Sequence, residues 1–201
     1  ADETLGTVLA CDAFSPATLD ATNPGLFWYG VHGVELLYTF MGKGCERLRC
    51  TTTASYDVVV GHWPEGRLGT MRGTRAGAHE YGVTVFGEKK VAQALYCREV
   101  PIYAQLLREI MPFFRGERQP VDPEETLEIM AFMQAALLSA QEGREVALEE
   151  VWAAEAAAAG AWEASVQAPE ATACARAADM PSRTLPDSRV TRKRARNAAR
   201  K

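Results

Sequence analysis

Placed on a helix, Trp28, His32, Glu35 and Thr39 fall on one stripe. An imidazole between an indole and a carboxylate can give or take a proton near neutral pH. An alcohol carbon needs that service when a hydride leaves it, because the hydroxyl proton must be carried away. Tyr29 stands beside Trp28, and the two rings could wall a pocket next to His32. A lone histidine also packs or caps in many helices, and Glu35 could equally be a surface charge. A second set, Arg72, Arg75 and His79, brings three cationic or near-cationic groups within eight residues. Together they could hold an anionic substrate group, with arginine offering paired hydrogen bonds. Residues 72 and 75 point to opposite faces of an ideal strand, so a joint site needs a bulge near Gly73. Without the bulge, the two arginines pair with acidic surface groups.

The segment carrying His32 reads as a helix over 24–41. Asn23 is placed to cap it and Pro24 suits its first position. Phe27, Val31, Val34, Leu37 and Met41 recur at intervals of three or four, and Gly42 ends the run. Before it, Leu5–Ala13 reads as a strand. After it come five short stretches rich in β-branched or aromatic residues: 46–53, 57–63, 67–74, 81–87 and 91–97. Pro64-Glu-Gly66 and Gly87-Glu-Lys-Lys90 are connections that only antiparallel neighbours allow. Two further helices follow, over 101–115 and 123–142. Asp122, Pro123 and Glu125 form the start signal of the second, whose expected buried face is Leu127, Ile129, Met130, Met133, Ala136, Leu137 and Ala140.

These elements predict an α+β fold: a mixed, mainly antiparallel sheet of about six strands with the three helices on one face. The domain is expected over 1–152, with a short terminal element at 146–152. Residues 153–201, Ala-rich and then basic, carry few large apolar side chains and are expected to form a disordered tail with some helix near Ala153. The basic cluster Arg189–Arg196 lacks interleaved aromatics, so a solvated tail is favoured over a nucleic-acid contact.

Several function classes drop out. No apolar run is long enough to span a bilayer and no secretory signal opens the chain, so a cytoplasmic protein with no membrane association is expected. Five cysteines without a Cys-x-x-Cys pair argue against disulfide scaffolds and zinc sites. His32, His62 and His79 lack metal-ligand spacing. Gly42-Lys-Gly44 has Arg47 where a dinucleotide fingerprint needs a third glycine, and it follows a helix instead of a strand.

Four strings, in order, carry a resemblance: Asn23-Pro-Gly-Leu-Phe-Trp-Tyr-Gly-Val-His-Gly-Val-Glu35; Val59-Val-Gly-His-Trp63; Gly69-Thr-Met-Arg-Gly-Thr-Arg75 with His79-Glu-Tyr-Gly82; and Pro123-Glu-Glu-Thr-Leu-Glu-Ile129. Over about residues 5–152 the chain resembles the C-terminal domain of the Gfo/Idh/MocA oxidoreductases, the glucose-fructose oxidoreductase and inositol dehydrogenase family. The resemblance implies the substrate and oligomerisation half of an NAD(P)-dependent enzyme acting on a sugar or polyol. A separate nucleotide-binding domain would hold NAD or NADP, so the fragment alone would be inactive. It implies His32 as acid/base or substrate anchor, with Trp28, Tyr29, Glu35, Arg72, Arg75 and His79 as candidate substrate contacts. The family brings an aspartate to the site four residues before the histidine, and Trp28 occupies that position here. Glu35 could replace the lost carboxylate, and a non-catalytic carbohydrate-binding or dimerisation module is the rival expectation. Glu88-Lys89-Lys90 is a hairpin turn and does not match the family's Glu-Lys-Pro lysine motif. The resemblance also implies that the open sheet face pairs with a second subunit. Val59, Trp63, Val83 and Val85 are the expected residues of that face.

Overall fold

The computed structural model describes residues 4–96, 99 and 101–167, with side chains as far as 158. The chain divides into two units, 1–157 and 158–201. The first is α+β. Its strands are β1 (Val8–Pro16), β2 (Arg47–Thr52), β3 (Tyr56–His62), β4 (Leu68–Thr74), β5 (Gly82–Gly87), β6 (Val91–Leu95) and the two-residue β7 (Val146–Ala147). They form one sheet in the order β6-β5-β1-β4-β3-β2-β7. Only β1 and β4 pair in parallel; the other neighbours are antiparallel. The seventh strand, beyond the six expected, is the start of the terminal element, and it adds to the β2 edge.

Helix α1 (Val31–Met41) and helix α3 (Pro123–Glu142) cover one face of this sheet. Helix α2 (Ile102–Phe114) buries none of its residues, so it does not join them as expected. Its Tyr103, Leu106, Leu107 and Phe114 remain exposed. The last helix, α4 (Leu148–Gln167), takes in the start of the expected tail. Residues 168–201, with their basic cluster, lie outside the described residues, as do Cys97 and Cys174. Among the described residues no helix is long and apolar enough to cross a membrane.

Period-two burial fixes which side of each strand meets the helices. Cys11, Ala13 and Ser15 of β1, Val59 of β3, Met71 of β4, and Val83 and Val85 of β5 are all buried. Val59, Val83, Val85 and the following Trp63 therefore belong to the core, not to the open face where they were expected. The open face carries their alternates: Phe14, Val58, Val60, Leu68, Arg72 and Phe86. On α3 the inward set also differs from expectation. Leu127 and Met130 are exposed, while Phe132, Ala135 and Ser139 join Ile129, Met133 and Ala136 inside.

The centre of the core is aromatic. Tyr38 of α1, Trp63 and Phe132 of α3 meet with ring centroids 5.7 to 6.3 Å apart. The indole lies against two glycines of adjacent strands: a Cβ at Gly61 or Gly69 would come within 2.7 or 2.8 Å of its ring. The Trp63 indole N–H donates to the Gly42 carbonyl at 2.9 Å, and Arg67 donates to the Met41 carbonyl at 3.1 Å. Both satisfy carbonyls that the end of α1 leaves unpaired. One Glu128 oxygen accepts from the Tyr38 hydroxyl and from the Gly44 and Cys45 N–H groups. Burial and the neighbouring Cys45 and Glu128 push the Tyr38 hydroxyl well above its ordinary range, so it stays a donor. Asp122 caps α3 by accepting from the Glu124 N–H at 3.0 Å, and Lys43 bridges Asp122 and Glu124. Burial also pushes the Cys11 and Cys45 thiols up to about 12, which makes them small apolar core residues.

The floor under Trp63 has no room for a methyl group. Gly69→Ala is expected to lower stability by about 1–3 kcal/mol, read as an earlier urea midpoint at unchanged slope. Wild-type stability in that variant would contradict the close approach of indole and sheet.

Candidate functional site

The helix carrying His32 starts later than its sequence signals indicate. Asn23 does not cap it; its side-chain amide donates to Asp20 at 3.1 Å. Gly25 takes a φ of 58°, outside helical space. Residues 24–30 form successive turns, with Phe27 N–H bonded to the Pro24 carbonyl and His32 N–H to the Tyr29 carbonyl, and Gly30 caps α1. Trp28 and Tyr29 therefore stand in a turn ahead of α1, while His32 and Glu35 lie on its first turns.

On that turn His32 and Glu35 are paired, with imidazole Nδ1 3.0 Å from a carboxylate oxygen. Both side chains are about half exposed, at 53% and 55%. A carboxylate only accepts hydrogen bonds, so this geometry suits the tautomer with its proton on Nδ1 and Nε2 free. Thr39 does not join them; its hydroxyl donates to the Glu35 backbone carbonyl at 2.8 Å. The Tyr29 and Tyr81 rings each approach the imidazole edge to face at 6.2 Å, and Trp28 meets Tyr29 at 5.8 Å. Phe27, Trp28, Tyr29, Val31 and His32 line an open concavity of about 410 Å³, within the range of small-molecule sites.

The second predicted set is not brought together. Arg72 lies on the open sheet face, its guanidinium 6.0 Å from the Tyr56 ring centroid. Arg75 is buried on a paired carboxylate: it donates to both oxygens of Asp57 and to the Thr53 and Ala54 carbonyls, and its side chain is 9% exposed. That pair fixes the turn between β2 and β3 and forms the polar end of a separate, mainly apolar cavity of about 360 Å³. His79 is exposed in the connection from β4 to β5. The bulge that a joint site needs is missing, since the register of β4 with β1 and β3 runs unshifted through Gly73. Nor does folding gather the histidines: no cluster of potential metal ligands occurs among the described residues.

Tyr81 and its neighbour Tyr96 were not among the predicted site residues. The only sequence signal for them is the hairpin itself, which brings the residue before β5 opposite the residue after β6. Their rings meet at 6.2 Å.

No protein-family model matches the chain, and no curated protein sequence matches it. Solved structures do. A probable dehydrogenase from Thermotoga maritima aligns with a TM-score of 0.62 at 21% identity, over 74% of this chain and 58% of that one. GenD2 from gentamicin A biosynthesis, solved in complex with NAD, aligns with a TM-score of 0.61 at 20% identity, over 73% and 57%. A myo-inositol dehydrogenase from Corynebacterium glutamicum aligns with a TM-score of 0.58 at 15% identity, over 73% and 58%. The chain thus spans less than two thirds of the length of the structures it matches. What it shares with these proteins, at such identities, is a fold, and that fold occurs in dehydrogenases of the kind the sequence resemblance implies.

Proposed function

We propose that this chain is the substrate-binding and oligomerisation domain of an NAD(P)-dependent oxidoreductase that acts on a sugar or polyol. The observation that carries the reading is the His32–Glu35 pair on the rim of an aromatic concavity, in a fold shared with an NAD-bound protein. In the full-length parent, NAD or NADP would exchange a hydride with the carbinol carbon. The described residues do not fit a dinucleotide: Gly42-Lys-Gly44 joins α1 to β2, the reverse of the strand-to-helix turn that cradles a pyrophosphate. The cofactor would be held mainly by a domain outside this sequence, so the isolated chain would have half a cleft and no turnover.

The residues of this chain would do three things. Glu35 orients the imidazole through Nδ1. His32 takes the substrate hydroxyl proton on Nε2 during oxidation and returns it during reduction. Trp28 and Tyr29 hold the apolar face of the ring and keep water from it. Glu35 here supplies the carboxylate from the opposite side of the histidine to the family's aspartate, whose position Trp28 occupies. That exchange also favours a second reading, a carbohydrate-binding module without catalysis.

Turnover separates the two. In the full-length parent, His32→Asn is expected to lower kcat by ~10²-fold or more while substrate still binds. An unchanged rate would remove His32 from the chemistry, whereas no turnover by the wild-type parent would leave the binding module.

The open sheet face would meet a second copy of the chain. Leu68 sits on it, 43% exposed, in register with Ala10 and His62. Leu68→Glu is expected to convert a dimer to monomers in sedimentation velocity. A dimer that persists in the variant, or a wild-type monomer at high concentration, would refute this interface.

A further inference from the structure

The aromatic row continues past His32. Tyr81 precedes β5 and Tyr96 follows β6, and the Tyr96 N–H donates to the Tyr81 carbonyl at 2.8 Å. That bond carries the β5–β6 register one step beyond the Gly82–Leu95 pair. The two phenols are therefore cross-strand partners on the helix-covered face, in line with Val83 and Val85. Three separate segments thus contribute one unbroken series of ring contacts: Trp28 to Tyr29, Tyr29 to His32, His32 to Tyr81, and Tyr81 to Tyr96. Burial and the nearby Tyr29 and Tyr96 raise the Tyr81 hydroxyl above its ordinary range, so it remains a protonated donor.

This row extends beyond the concavity. Phe27, Trp28, Tyr29, Val31 and His32 line that space, and Tyr81 and Tyr96 are not part of its wall. A single sugar ring seated there leaves them uncovered, with Tyr96 39% exposed. Their chemistry offers no counter-charge to an anionic ring. Ring faces attract the partly positive C–H edges of a pyranose, and the phenol groups can bond its hydroxyls. Neither arginine of the second predicted set is on hand, since Arg75 is committed to Asp57 and Arg72 lies on the opposite sheet face.

We propose that Tyr81 and Tyr96 form a second subsite beside His32, which takes the second ring of a neutral glycoside. The substrate class is then a disaccharide or similar two-ring glycoside, larger than a free monosaccharide. The proposal rests on the reading of the His32 concavity as a sugar site, and its test separates the two. The 201-residue chain is titrated with methyl β-glucoside and with cellobiose, and binding is followed by ligand-observed NMR. Both are expected to bind, with cellobiose about three- to tenfold tighter, as one extra aromatic contact provides. In Tyr96→Ala the two sugars should bind alike, and Tyr96→Phe should retain the preference. Equal affinities in the wild-type chain, or a preference that survives Tyr96→Ala, would overturn the subsite and leave the His32 reading standing. Binding of neither sugar would overturn both.

Discussion

The seat of α1 on the sheet governs everything that follows. Its C-terminal end is held by three unrelated groups: the Trp63 indole on Gly42, the Arg67 guanidinium on Met41, and Glu128 on the N–H groups just beyond. Lower on the sheet, Gly33 lets the helix approach β1 and β4 so closely that a Cβ there would lie 2.6 Å from Ser15 and Met71 atoms. A helix pinned at one end and pressed onto the sheet along its length has little freedom in the direction of its other end. That other end carries His32. The imidazole thus stands beside Tyr81 because the core places it there, and the loop before the helix needs only to add Trp28 and Tyr29.

The same packing explains why the site has few polar groups of its own. Most polar and charged side chains that the fold brings inward serve it structurally. Asp57 and Arg75 neutralise each other at the end of the sheet, Glu128 is shared among three donors, and Ser139 joins α3 to β2 through the Cys50 N–H. A buried pair broken on one side leaves an uncompensated charge, so these groups are poor candidates for binding chemistry. What lines the concavity at α1's start is the His32 imidazole, paired with Glu35, and a set of apolar and aromatic side chains. That inventory suits a neutral, ring-shaped ligand better than an anion.

Much of the fold could be read in the sequence where local chemistry decides. The Asp122-Pro123 start and Gly143 stop of α3 are local, as is the Gly42 end of α1, and the structure keeps all of them. The start of α1 falls later than Asn23-Pro24 indicates because the Asn-Pro signal is genuine turn chemistry put to another use. Asp20 draws the Asn23 amide away, and Gly25 adopts a conformation that no helix interior allows. The open face is not legible in β3 because Val58, Val59 and Val60 are consecutive, so apolarity cannot say which of them points inward. Only pairing with β2 and β4 sets that parity. His32 and Glu35 were legible as neighbours on a helix. Tyr81 and Tyr96 were not, because they come together only through hairpin register.

The central claim is that Glu35 holds the His32 imidazole by Nδ1 and frees Nε2 for proton exchange. Nitrogen-detected NMR of the isotope-labelled chain at a pH where the ring is neutral tests it directly. The account predicts a protonated Nδ1 and a bare Nε2 at His32, with the preference lost in Glu35→Gln. A ring protonated on Nε2 in the wild-type chain would contradict it.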